Sequence, residues 1–100
     1  MVYIFTKSWY PTHKSSEANK IYAEIIKKYP PDKSLGDTIL PLAAKATKDG
    51  IESLTIHKPK EEKVVQVVRL LIEAMSLFNE IEGYEWSIEV WAGIEDVPTI

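Results

Sequence analysis

Residues 38–58 read Thr38-Ile39-Leu40-Pro41-Leu42-Ala43-Ala44-Lys45-Ala46-Thr47-Lys48-Asp49-Gly50-Ile51-Glu52-Ser53-Leu54-Thr55-Ile56-His57-Lys58. Asp49-Gly50 divides this stretch into two extended halves, because Asp-Gly supplies the positive φ angles that tight hairpins need. After the turn the chain alternates, with Leu54 and Ile56 on one side and Ser53, Thr55 and His57 on the other. Pro59 closes this strand, which spans about residues 51–58. Before the turn, Pro41 lacks a backbone donor, so the strand of about residues 38–47 belongs at a sheet edge.

Each flank of the hairpin adds a helix and then a strand. On the N-terminal side, Ala18, Ile21, Tyr22, Ile25 and Tyr29 recur at helical spacing. Ser15 or Ser16 is placed to cap that helix, and Tyr29-Pro30-Pro31 stops it. Residues 2–9 precede it as a strand, with Val2, Ile4, Thr6 and Ser8 on one face and Tyr3, Phe5, Lys7 and Trp9 on the other. On the C-terminal side, residues 61–82 carry a broad apolar stripe built on Val64, Val68, Leu71, Met75 and Phe78. Gly83 is a natural helix stop. Residues 84–91 form the last strand, with Trp86, Ile88 and Val90 opposed to Glu89 and Trp91. Ile94–Ile100 reads as a short tail.

The order is therefore β-α-β-β-α-β, an α+β chain whose residues 1–100 read as one domain. Right-handed crossovers in both β-α-β units place two helices on one face of a four-stranded antiparallel sheet in the order 4-1-3-2. This is the ferredoxin-like arrangement. It puts the Pro41 strand at an edge, as its proline requires.

Composition narrows the function classes. Twelve basic and 15 acidic residues give a net charge of −3, which offers no long-range attraction to a phosphate backbone. Arg69 is the sole arginine. Nucleic acid is not an expected partner. The N-terminus lacks the basic start and long apolar run of a signal peptide, and no apolar run is long enough to span a bilayer, so a cytoplasmic, membrane-free protein is expected. The chain has no cysteine, and His13 and His57 are its two imidazoles, so no metal site and no cofactor are expected. Abundant Lys, Glu and Ile with a single Gln resembles the composition of heat-adapted proteins.

The uncovered sheet face then decides the biology. With Tyr3, Phe5, Leu54, Ile56, Trp86, Ile88 and Val90 turned toward the helices, the open face carries Ile4, Thr6, Ser8, Thr55, His57, Glu89 and Trp91. Reversing the first strand puts Lys7 and Trp9 there instead. His57 is the leading candidate for general-base chemistry, with Glu89 in support across the intervening first strand, about 10 Å away. The ordinary alternative is a surface or interface histidine. Trp9 and Trp91, with His13 in the loop after the first strand, are candidates to line a ligand site. Tryptophans in a dimer interface are the alternative there. Arg69 on the long helix reads as part of a solvated face.

The element order and length, with Gly83-Tyr84-Glu85-Trp86 after a long amphipathic helix and the Ser34-Leu35-Gly36 loop, resemble the dimeric α+β barrel superfamily and small archaeal proteins of that type. The resemblance implies a homodimer that packs sheet against sheet, with a small apolar or aromatic ligand between the sheets. It also admits a cofactor-free monooxygenase or isomerase using His57, and a structural or regulatory oligomerisation domain.

Overall fold

The structure is a computed structural model and describes residues 1–96. Strand β1 (Val2–Tyr10) leads through a 3₁₀ turn at Thr12–Lys14 into helix α1 (Ser15–Lys28). Strands β2 (Gly36–Thr47) and β3 (Gly50–Pro59) form the hairpin. A 3₁₀ turn, helix α2 (Val64–Ser76) and a further 3₁₀ segment (Leu77–Glu80) precede strand β4 (Glu85–Ala92). The four strands are antiparallel in the order β2-β3-β1-β4, the expected ferredoxin-like sheet. The last four residues of the expected C-terminal tail lie outside the described residues, and Ile94–Asp96 forms a 3₁₀ turn.

Local chemistry explains the strand edges. Pro41 sits in edge strand β2, beside two register shifts between Thr38 and Ala43. A missing donor and local bulges both discourage a further strand from adding there. The hairpin turn differs from the expected form. Thr47 pairs with Gly50, so Lys48 and Asp49 make the loop, and among the described residues only glycines have positive φ. The Thr47 hydroxyl accepts from the Asp49 amide and donates to the Gly50 carbonyl, so this side chain helps to shape the turn. Gly50 takes φ +139°, and a side chain there would collide with the Tyr10 carbonyl.

The helix starts also differ. Neither serine caps α1; the Ser15 hydroxyl donates to the Thr12 carbonyl at 2.7 Å, because the chain begins to coil at Thr12. The expected helix over 61–82 is helical in segments, with α2 tightening into 3₁₀ at Leu77 and the path leaving through Gly83 at φ +83°.

The helices meet over one sheet face. Ala18 and Ile21 of α1 pack on Phe78 and Ile81, with Tyr10, Tyr22, Met75 and Tyr84 around them. Tyr84 lies between Tyr10 and Phe78 in a nearly parallel stack, with centroids 5.1 and 4.3 Å apart. In β1, Ile4, Thr6 and Ser8 are buried beneath this layer, while Tyr3, Phe5, Lys7 and Trp9 remain partly exposed. Period-two alternation makes these two sets the two faces of the sheet.

Candidate functional site: the uncovered sheet face

Strand register assigns every sheet residue to a face. Opposed residues share a face, and Ile4, Thr6 and Ser8 oppose His57, Thr55 and Ser53 on β3. On β4 the same residues oppose Val90, Ile88 and Trp86. The helix-covered face of β3 is therefore the polar one. The Ser8 and Ser53 hydroxyls hydrogen-bond each other. Thr6 Oγ1 and His57 Nδ1 are buried without a hydrogen-bond partner among the described residues. Burial holds the His57 imidazole below its ordinary pKa. Burial also pushes the Tyr84 phenol up to about 12, an effect that the nearby Ser8 hydroxyl partly offsets.

This corrects the expected orientation of β3. Leu54 and Ile56 face away from the helices, because they oppose Lys7 and Phe5 on the uncovered side. His57 lies on the covered side, whereas Glu89 opposes Phe5 and lies on the uncovered side. The sheet separates the two groups, so they do not flank a common ligand. The expected placement of Ile4, Thr6, Ser8 and Thr55 on the open face is corrected by the same register. Lys7 and Trp9 lie on the open face, as the reversed orientation of β1 requires.

The uncovered face combines apolar residues on β1, β2 and β3 with an ion pair between β1 and β4 and with charged residues at the two ends of the hairpin. Phe5, Leu54 and Ile56 occupy the middle, with Tyr3 beside them on β1 and Leu40 and Ala43 on β2. At one end of the hairpin Glu52 opposes Lys45, with 3.7 Å between their charged groups; at the other, Lys58 opposes Asp37. Trp9 and Trp91, 37% and 55% exposed, lie toward opposite ends of the sheet. Lys7 and Glu89 form an ion pair within the patch, at 3.4 Å. The Trp91 indole N–H donates to Glu89 Oε1 at 3.0 Å, and its ring packs on Phe5 with centroids 5.6 Å apart. The Trp91 hydrogen bond, with Lys7 as a further contributor, holds the Glu89 carboxyl below the usual carboxylate range.

Of the residues singled out from sequence, Glu89 and Trp91 are in direct contact, and Trp9 shares their face. His13 is exposed in the 3₁₀ turn after β1, and Arg69 is exposed on α2. Lys7 was not among the sequence candidates; its partner lies on a strand about eighty residues away, so only the register reveals the pair. A shallow depression of about 290 Å³ lies over Ala43, Ala44, Lys45, Glu52, Ser53 and Leu54, where the small side chains of β2 leave space. Among the described residues no group of three or more His, Cys, Asp or Glu side chains is placed to hold a metal ion, and no helix is long and apolar enough to cross a membrane.

No family model matches the chain, and no curated protein matches it. Solved structures do. The chain is similar to the de novo designed protein Foldit4, at a TM-score of 0.55 and 15% identity, over 92% of this chain and 97% of that one. It is also similar to protein Atu4242 from Agrobacterium tumefaciens, at a TM-score of 0.47 and 14% identity, over the full length of both chains. At these identities the likeness to the designed protein concerns the fold alone.

Proposed function

We propose that the protein is a homodimerising module whose uncovered sheet face is closed by the same face of a second copy, in the manner of dimeric α+β barrels. One observation carries this reading: on β3 the aliphatic residues lie on the face turned away from the helices. Ser53, Thr55 and His57 share the face of the buried Ile4, Thr6 and Ser8, and Leu54 and Ile56 lie on the opposite face with Lys7 and Phe5. A protein whose bare side met only water would gain more from the reverse arrangement, since burying apolar area stabilises by about 25 cal/mol per Å².

The face carries aromatic and aliphatic groups, Tyr3, Phe5, Leu54, Ile56 and Trp91, of the kinds enriched at interfaces, and its Lys7 and Glu89 charges are paired with each other. The molecule is a slab of 45 × 32 × 18 Å, one helix layer on one sheet. A second copy would complete the sandwich.

A small apolar or aromatic ligand held between the two sheets is proposed as an additional role. Native mass spectrometry would detect a retained guest. Catalysis by His57 with Glu89 is not proposed, because the sheet lies between them.

The test is a charge placed at the centre of the face. Ile56→Lys is expected to leave the far-ultraviolet circular dichroism unchanged and to convert a wild-type dimer into a monomer in sedimentation velocity. A folded Ile56→Lys protein that sediments with its wild-type mass would remove the face from the assembly.

A further inference from the structure

Trp91 is more than half exposed, yet it is held in place. Its indole N–H bonds Glu89 Oε1 at 3.0 Å and its ring rests on Phe5. The same carboxylate oxygen takes the Lys7 ammonium at 3.4 Å. Lys7 and Glu89 reach each other from adjacent strands, β1 and β4, so the carboxylate is tied to the sheet from two directions. An exposed tryptophan free in solution would lose rotamer freedom when a partner covers it. One already fixed does not incur that cost on binding. Tryptophan is among the residue types enriched at the anchors of protein interfaces.

We infer that Trp91 is the anchor of the sheet-to-sheet contact between two copies, and that Glu89, steadied by Lys7, is a positioning residue that presents it. This rests on the dimer reading above and deepens it. The occupant is a second copy of this chain, and the mixed signs at the ends of the face, Lys45 beside Glu52 and Lys58 beside Asp37, suit a surface that meets itself. Trp91 contributes apolar area and Glu89 contributes order. The Lys7 charge balances Glu89, so that covering the pair leaves neither charge alone.

Two double variants of the full chain isolate the acceptor from the charge. Lys7→Met/Glu89→Gln removes the ion pair but keeps an oxygen for the indole. Lys7→Met/Glu89→Ala removes both. Sedimentation equilibrium on the two is expected to give a dimer dissociation constant about 2- to 12-fold higher for the second, the cost of one immobilised side chain. Trp91→Ala is expected to raise it by about 30-fold or more. Urea unfolding of the monomers should differ little, because Trp91 and Glu89 lie on the uncovered face of an edge strand. Equal assembly by the two double variants, or a Trp91→Ala protein that dimerises like wild type, would overturn the inference and leave the dimer reading standing. A monomeric wild-type protein would overturn both.

Discussion

Ile4 is fully buried at the centre of the sheet, between His57 on β3 and Val90 on β4. Truncating it removes three carbons from a site that the flanking strands and the helices above hold in shape. Ile4→Ala is expected to cost about 2–5 kcal/mol of unfolding free energy in urea titration. A loss below 1 kcal/mol would mean that the core collapses readily around the gap. His57 tests the polar layer beneath the helices. Burial lowers its pKa in the folded chain, so the unfolded chain binds the proton more readily. The stabilising contribution is complete above the unfolded value, about 6.5, and is lost as pH falls below it through the lowered folded value. Denaturant midpoints measured from pH 8 to pH 5 should fall for the wild type and fall less for His57→Gln. Parallel curves would place the imidazole in water in both states. A histidine on a strand is visible in sequence, but its face is not. Alternation gives two opposed sets of residues, and only pairing with Ile4 shows which set the helices cover.

Among the elements, the β2–β3 hairpin was the most legible. Pro41 marked an edge strand and Asp49-Gly50 marked the turn, and both are where the sequence puts them. The turn's inner geometry was less legible, because the Thr47 hydroxyl bonds that shape it depend on a side chain outside the Asp-Gly signal. Gly50 nonetheless has a strict requirement, with φ +139° and the Tyr10 carbonyl where a side chain would go. Gly50→Ala is expected to cost more than about 1 kcal/mol, read as a lower thermal midpoint. An unchanged midpoint would show that the hairpin turns by another route. Helix starts were misjudged for a related reason. The chain already coils at Thr12 and at Glu61, so Ser15 and Ser16, the first two residues of α1, come too late to cap it. The strongest periodic signals, the stripes of α1 and α2, gave the helices themselves.

At the scale of the whole molecule, the ferredoxin-like topology followed from element order, and the sheet order β2-β3-β1-β4 matches it. The candidate site was only half legible. The sequence places Glu89 and Trp91 on the open face together with His57, and puts Trp9 and Lys7 there only when β1 is reversed; the register moves His57 to the covered face and brings Trp9 and Lys7 to the open one. Both errors have one origin, since a one-residue change of phase in a strand exchanges its faces. Once register is fixed, the molecule is a slab whose bare side carries Phe5, Leu54, Ile56 and Trp91 around a paired Lys7 and Glu89, and self-association is the proposal that accounts for it. The most direct test is the native mass of the wild-type protein at micromolar concentration. The account predicts twice the 11.4 kDa of one chain. A protein that remains at the single-chain mass across that range would contradict it.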